Sequence, residues 1–131
     1  MWECGWLWVW GSIMVTAAEL VRKRCVPCEG GIPALPLVEA QNLAKSVPAW
    51  RLQSDGKALR REWRVKDFGT AIDFFHRVAG IAEDENHHPD LHLTGYRNVA
   101  VEISTHAVGG LTENDFILAA KIDQLPIQLK S

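Results

Sequence analysis

Apolar residues recur along the chain with two different periods, and these periods predict its helices and strands. Helical spacing predicts a short amphipathic helix between Pro36 and Pro48. A longer helix is predicted to begin after Asp67, a good N-cap residue, and to end near Asn86. Its predicted apolar stripe, at three- and four-residue spacing, consists of Phe68, Ile72, Phe75, Val78, Ala79 and Ala82.

Four short stretches instead alternate apolar with polar residues, which is typical of β-strands. The first two, 50–53 and 59–65, flank a turn sequence at 54–57. The other two, 91–94 and 99–103, flank a second turn sequence at 95–98. Each pair therefore predicts an antiparallel hairpin.

A last helix is predicted to begin with a capping-box sequence that runs from Thr112 to Asp115. The predicted order is then helix, strand, strand, helix, strand, strand, helix. This order indicates an α+β fold, with a single four-stranded antiparallel sheet and helices packed on one face. Because so small a sheet leaves open edges, we expect a homo-oligomer, either a dimer or a tetramer.

The N-terminal residues do not fit this pattern. Residues 1–14 contain four of the six tryptophans, and the apolar run at 6–18 is shorter than the roughly 20 residues of a membrane helix. The first basic residues follow the run, whereas a secretory signal carries them before it. We expect a disordered or mis-assigned leader at 1–14, an N-terminal extension at 15–34 and the folded domain at 35–131.

Composition narrows the range of partners and compartments. The 131 residues suffice for one domain with one modest core. The net charge of −2 and the scattered basic residues give no reason to expect nucleic acid as a partner, and we expect no membrane partner. Three cysteines, an odd number, argue against a disulfide framework, so we expect a cytoplasmic protein.

Two of these cysteines form a Cys-x-x-Cys sequence at Cys25 and Cys28. Such a pair supplies half of a zinc site or acts as a redox couple. Zinc needs four ligands, and the chain has no second Cys-x-x-Cys. Because Pro27, Gly30 and Gly31 favour a loop, we expect a structured turn with two thiols rather than a metal knuckle.

The candidate chemistry lies at the predicted end of the long helix, where His87 and His88 precede Pro89. The proline disfavours helical backbone at His88, so both imidazoles should lie at a helix-to-strand junction. If the alternation of the last strand continued to His106, that residue would share a face with Glu102 and Ser104. Histidine has an unperturbed pKa close to neutral pH, so this cluster is suited to proton transfer.

The spacing of these residues resembles that of the pterin-4a-carbinolamine dehydratases. The resemblance rests on Lys66-Asp67-Phe68, Glu83-x-x-x-His87-His88-Pro89, Tyr96, Ser104-Thr105-His106 and Gly110-Leu111-Thr112 with Asp115. The segment Cys25-x-x-Cys28-Glu29-Gly30-Gly31 resembles an N-terminal extension of some plant and microbial members. The resemblance covers the chain from about the first predicted helix to its C-terminus.

The resemblance implies a hydro-lyase that dehydrates 4a-hydroxytetrahydropterin to quinonoid dihydropterin in pterin recycling, without a metal or redox cofactor. It implies that His87, His88 and His106 line the pterin site and are catalytic. We expect His87 and His106 to transfer protons and His88 to orient the substrate, with the acid and the base unassigned. The expected substrate-binding residues are Glu83, Thr105 and Asp115.

Alternative roles stay open at several of these positions. Glu83 or Asp115 either binds the pterin or holds an imidazole in one tautomer, Asp115 also fits a capping role, and Thr105 fits a role in supporting His106. A different function, a non-enzymatic coactivator-like interaction module, is the main rival. A metal hydrolase that uses His88 and His92 is less favoured. Their spacing would place two metal ligands on one face of a helix, but Pro89 lies between them and a helix does not run through it easily.

Overall fold

A computed structural model of the chain describes residues 16–26 and 33–131. The helices within these ranges are α1 (Ala17–Arg22), α2 (Leu37–Ala44), α3 (Phe68–Glu85) and α4 (Glu113–Asp123). The strands are β1 (Arg51–Leu52), β2 (Leu59–Arg64), β3 (Asp90–Thr94) and β4 (Asn98–Ile103). The predicted leader at 1–14 and the predicted turn at Cys28 lie outside the described residues.

The strands form one antiparallel sheet in the order β1-β2-β4-β3, which confirms the predicted fold class. The β3–β4 turn places Gly95 and Tyr96 in left-handed backbone, at φ 54° and 56°. Two consecutive residues of this kind match the right-handed twist of a hairpin. In the register of the central strands, Leu59 lies opposite Ile103.

The core lies between this sheet and the helices. Trp63 on β2 packs against Trp50 and Phe74, with ring centroids 5.9 and 5.0 Å apart. The β4 residues that point into the core are Val99, Val101 and Ile103. Aromatic and branched side chains thus join the sheet to α3.

Helix α3 begins and ends as predicted, but its buried stripe differs from the predicted one. Asp67 accepts a hydrogen bond from Thr70 N–H as the N-cap. The buried residues of α3 are Ala71, Phe74, Val78, Ala82 and Glu85. The predicted positions Phe68 and Ile72 are instead about half exposed, at 53% and 47%. The reason is that the sequence carries two apolar faces at helical spacing, and the sheet covers the one that contains Phe74.

Helix α1 was not predicted. Thr16 caps it by accepting a hydrogen bond from Glu19 N–H, and Leu20 is fully buried. The helix packs against α4. The N-terminal extension therefore contributes to the hydrophobic core.

Helix α4 begins with the predicted capping box between Thr112 and Asp115. It contacts α1 on one side and α3 on another, and every residue from 114 to 120 is buried. A central position of this kind fixes the first turn of α4 relative to the end of α3. No helix within residues 16–26 and 33–131 is both long and apolar enough to cross a membrane.

Candidate active site

An open cleft of about 360 Å³ lies where the end of α3, the loop after β4 and the first turn of α4 meet. All three predicted catalytic histidines line it. The lining residues are Cys25, Val26, Glu85, Asn86, His87, His88, Ser104, Thr105, His106, Ala107 and Asn114. Residues distant in sequence thus meet in one place.

The backbone at the end of α3 delivers two of the histidines. Asn86 adopts left-handed backbone, at φ 52°, and caps the helix with its N–H. His87 N–H then donates to Ala82 O at 3.1 Å. A left-handed residue with this bonding ends a helix sharply and turns the chain away from its axis. Asparagine is one of the few residues other than glycine that adopts this conformation readily.

His87 is held by a buried carboxylate. Its Nε2 lies 2.7 Å from Asp115 Oδ1, and the two side chains are 11% and 0% exposed. Asp115 Oδ2 accepts hydrogen bonds from the Thr105 hydroxyl at 2.7 Å and from Thr112 N–H at 2.8 Å. Asp115 therefore caps α4 and contacts His87 at the same time.

This arrangement fixes which ring nitrogen of His87 carries hydrogen. Because both oxygens of the Asp115 carboxylate accept, the hydrogen of the 2.7 Å contact lies on Nε2. In the neutral ring, Nδ1 then carries the lone pair. Nδ1 is therefore the ring nitrogen of His87 that can accept a hydrogen bond.

His88 is paired in a more open environment. Its Nε2 lies 2.5 Å from Glu83 Oε2, and the side chains are 56% and 75% exposed. Glu83 lies near the C-terminal end of α3 and reaches His88 from the preceding helical turn. Since solvent screens an exposed pair, Glu83 orients its imidazole less firmly than Asp115 does.

His106 reaches the cleft from a tight loop and not from the strand. Strand β4 ends at Ile103, and a 3₁₀ turn runs from His106 to Val108. Thr105 N–H donates to Gly110 O at 2.8 Å, and Gly109 is left-handed at φ 69°. The alternation of β4 therefore does not continue to His106, because the strand ends at Ile103 and the chain turns into this loop.

Glu85, which was not predicted as a site residue, lines the cleft beside the histidines. Its side chain is 4% exposed and lies 2.5 Å from Lys121 Nζ. Burial alone would raise the pKa of Glu85, but hydrogen bonds from Lys121 and Cys25 N–H hold it below the ordinary value. A signal existed, because Glu85 follows Val78 and Ala82 at helical spacing on the buried stripe.

Cys25 also lies at the cleft, and its surroundings do not activate it. Burial and the nearby Glu85 carboxylate raise the pKa of the Cys25 thiol to about 12. The thiol donates to Asn114 O at 3.5 Å. Reactive cysteines lie in electropositive surroundings that lower the thiol pKa, so Cys25 does not resemble one.

The residues of the rival metal hypothesis lie apart. His88 lines the cleft described above, whereas His92 lines a separate one with Arg60 and Asn98. Within the described ranges, no group of three or more His, Cys, Asp or Glu side chains is placed to hold a metal ion. The histidine pair of the hydrolase hypothesis therefore does not converge.

Comparison with known proteins identifies the family of this chain. The family model for pterin 4 alpha carbinolamine dehydratase matches residues 33–125. The mitochondrial pterin-4-alpha-carbinolamine dehydratase 2 of Arabidopsis thaliana is 54% identical over 114 residues, 85% of this chain. This chain spans 61% of that relative. A putative pterin-4-alpha-carbinolamine dehydratase of Rubrobacter xylanophilus is 44% identical over 108 residues, 82% of this chain and 99% of the relative.

The crystal structure of a transcriptional coactivator/pterin dehydratase from Brucella melitensis has a similar fold. Its TM-score is 0.63 at 31% identity, over 69% of this chain and 95% of that one. The named dehydratases are carbon–oxygen lyases, the enzyme class that the sequence predicted. With a family model matched over most of its length, the chain belongs to the pterin 4 alpha carbinolamine dehydratase family.

Proposed function

We propose that the chain dehydrates 4a-hydroxytetrahydropterins to quinonoid dihydropterins by histidine acid–base catalysis. The observation that carries this proposal is the convergence of His87, His88 and His106 on one cleft in a member of this family. Pterin is accordingly the proposed substrate.

The reaction requires two proton transfers and no change in oxidation state. The proton on N5 is removed, and the electron pair of that N–H bond becomes the N5=C4a double bond. The C4a–O bond breaks, and the departing hydroxide takes a proton and leaves as water. General acid and general base catalysis contribute about 10²–10⁴-fold each to such a reaction.

We assign these transfers to His87 and His106, with His88 orienting the substrate. The Asp115–His87 contact of 2.7 Å supports this assignment, because it presents Nδ1 of a firmly held ring. His106 approaches from the opposite loop and is exposed, so it has access to substrate and solvent. His88, with its outer Glu83 contact, is better placed to bind than to relay protons.

The predicted substrate-binding residues divide into two groups in this proposal. Thr105 lines the cleft and donates its hydroxyl hydrogen to Asp115. Asp115 is fully buried, so we assign it a positioning role toward His87. Glu83 is the most exposed of the three and contacts His88, which lines the cleft, and it is the one that we propose to contact substrate.

The test is the decay of 4a-hydroxytetrahydropterin generated in situ by a pterin-dependent hydroxylase. We expect this protein to accelerate the decay, and we expect His87→Ala and His106→Ala to lower kcat by about 10²-fold or more. His76→Ala is the matched control, because His76 lies exposed on α3 and does not line the cleft. A folded wild-type protein that does not accelerate the decay would refute the proposal.

The same assay separates the dehydratase from the interaction-module alternative. The Brucella melitensis protein of similar fold is named both a transcriptional coactivator and a pterin dehydratase. A module that only binds a partner would leave the pterin decay unchanged in every variant. The assay is run with a chelator, because activity that the chelator abolishes would favour the metal hydrolase.

Self-association is part of the proposal. Phe68 and Ile72 form an exposed apolar face on α3, and Leu91 on the edge strand β3 is 38% exposed. A dimer or tetramer would cover such surfaces. Light scattering coupled to size-exclusion chromatography measures the mass, and a monomer at micromolar concentration would contradict this part.

The cellular compartment is proposed separately from the activity. A cytoplasmic location rests on the odd cysteine count, whereas the name of the Arabidopsis relative favours mitochondria. We retain pterin recycling in the cytoplasm as the proposal. Imaging of the full chain with a C-terminal fluorescent tag distinguishes the two compartments.

A further inference from the structure

The N-terminal extension contributes one wall of the cleft. Residues 24–26, here called the strap, follow α1 and cross from the end of α3 to the first turn of α4. Arg24 donates to Asp84 O at 3.2 Å, and both Cys25 and Val26 line the cleft with the histidines. The strap is about 60 residues from His87 in sequence, and the histidine signature does not include it.

The strap is fastened by backbone hydrogen bonds to two side chains. Cys25 N–H donates to Glu85 Oε1 at 2.8 Å. Val26 N–H donates to Asn114 Oδ1 at 3.0 Å, and Asn114 Nδ2 donates back to Val26 O at 2.6 Å. The Asn114 amide thus makes two hydrogen bonds to the backbone of one residue, as a paired strand would, and these bonds hold the Val26 backbone in place. Lys121 holds Glu85 in turn, so the strap rests on a supported carboxylate.

These hydrogen bonds use Cys25 N–H and both backbone polar groups of Val26. The Val26 side chain, which lines the cleft, is apolar. The Cys25 thiol donates to Asn114 O. Val26 and His87 both line the cleft, but Val26 is 61% exposed and the His87 side chain is 11% exposed. We infer from these exposures that Val26 lies toward the solvent side of the cleft and His87 lies deeper. If the reacting atoms of the pterin ring lie at the histidines, the substituent on the ring extends toward Val26. The apolar Val26 side chain then contacts that substituent.

We propose that the strap is a specificity element, in which Val26 packs against the substituent on the pterin ring. This inference rests on the proposed function and adds the part of the substrate that the extension recognises. An apolar contact of this kind holds substrate and transition state equally, so it changes KM and leaves kcat unaltered.

The first test compares Val26→Ala with wild type in steady-state dehydratase kinetics and in calorimetric binding. The binding probes are 7,8-dihydrobiopterin, which carries a substituent on the ring, and 7,8-dihydropterin, which carries none. We expect KM and Kd for the substituted pterin to rise about three- to tenfold. The reason is that Val26→Ala removes two methyl groups and, with them, part of the apolar area in contact with the substituent. We expect kcat and the Kd for 7,8-dihydropterin to change less than about twofold.

Val38→Ala is the matched control, since Val38 on α2 is 66% exposed and does not line the cleft. Val26→Ile should retain the wild-type KM. Asn114→Asp keeps the acceptor for Val26 N–H but loses the donor to Val26 O, and its carboxylate suits the first turn of a helix. If Asn114 acts through the strap, Val26→Ala should have a smaller effect in the Asn114→Asp background.

The outcomes separate this inference from the proposed function. A wild-type protein that converts pterin, with Val26→Ala unchanged toward the substituted probe, would overturn the strap role alone. An equal loss of affinity for both probes would overturn it too, because contact with the substituent would then be excluded. A wild-type protein that neither converts nor binds pterin would overturn the proposed function together with this inference.

Discussion

Asp115 Oδ1 lies 2.7 Å from His87 Nε2 while the other oxygen of the same carboxylate caps helix α4. The cleft that His87 lines is thus fixed by an element of secondary structure. A capping box needs an acid three residues into the helix, and here that acid also sets the tautomer of a histidine from another helix end. The position of His87 is therefore tied to the packing of α4 in the core.

The Asp115→Asn variant should show how much activity depends on the tautomer of His87, because it changes that tautomer while nearly preserving the size of the side chain. The amide oxygen can still accept from Thr105 and Thr112 N–H, but its NH₂ group faces His87 Nε2 and donates to it. The hydrogen of the neutral ring then moves to Nδ1, which loses its lone pair. We expect kcat to fall by about 10²-fold or more, as for loss of a general acid or base. Steady-state dehydratase kinetics measure the change.

Glu83→Gln is the comparison for that variant. Glu83 holds His88 in a pair that is largely exposed, and such pairs contribute little because solvent screens them. We expect a decrease in kcat of less than about tenfold. Similar melting temperatures for Asp115→Asn and Glu83→Gln would show that both variants fold. Equal losses of kcat in the two variants would contradict the distinction between the two carboxylates.

The elements with strong local signals were predicted from the sequence. The Asp67 N-cap, the end of α3 at Asn86 and the capping box of α4 are confirmed, because each depends on residues a few positions apart. The convergence of the histidines came from the family resemblance, since spacing alone does not place His106 beside His87. The clustering agrees with that resemblance, whereas the catalytic roles stay predictions.

The parts that were missed depend on contacts between distant segments. Helix α1 is six residues long, too short for a periodic signal, and it is stabilised by burying Leu20 against α4. The burial of Glu85 depends on Lys121, 36 residues away. The apolar stripe of α3 was misjudged because tertiary packing selects one of two apolar faces.

Leu20→Ala tests whether the extension belongs to the core. Leu20 is fully buried, so removing its side chain should lower the free energy of unfolding by about 2–4 kcal/mol. Urea denaturation measures this change. Leu129→Ala is the matched control, because Leu129 is 57% exposed and its truncation should cost less than about 1 kcal/mol. A Leu20→Ala protein as stable as this control would show that α1 does not contribute to the core.

The thiol of Cys25 should resist alkylation in the folded protein. Its pKa of about 12 leaves little thiolate at pH 8, and Cys25 is partly buried. In a Cys4→Ser/Cys28→Ser background, we expect iodoacetamide to react at least about tenfold more slowly with the folded protein than in urea. Mass spectrometry follows the reaction. Equal rates in the two conditions would contradict the raised pKa and reopen a redox role for the Cys-x-x-Cys sequence.

The free energy of unfolding should decrease at acid pH because of the buried pair of Glu85 and Lys121. The pKa of Glu85 lies below its ordinary value of 4.5, so the ionised form stabilises the folded state. This contribution is complete above about pH 5 and is lost as pH falls through the lowered pKa. We therefore expect Glu85→Gln to lower the free energy of unfolding at pH 7 by roughly 3–5 kcal/mol, because Lys121 is left unpaired. The midpoint of urea unfolding should fall accordingly.

The difference between wild type and Glu85→Gln should shrink below pH 4.5, since protonation removes the same charge from the wild type. Urea titrations between pH 3 and pH 7 follow this convergence. Glu39→Gln is the control, because Glu39 is exposed on α2 and its substitution should leave the stability profile unchanged. A difference that stays constant down to pH 3 would mean that Glu85 stabilises the strap by shape and hydrogen bonding alone, without its charge.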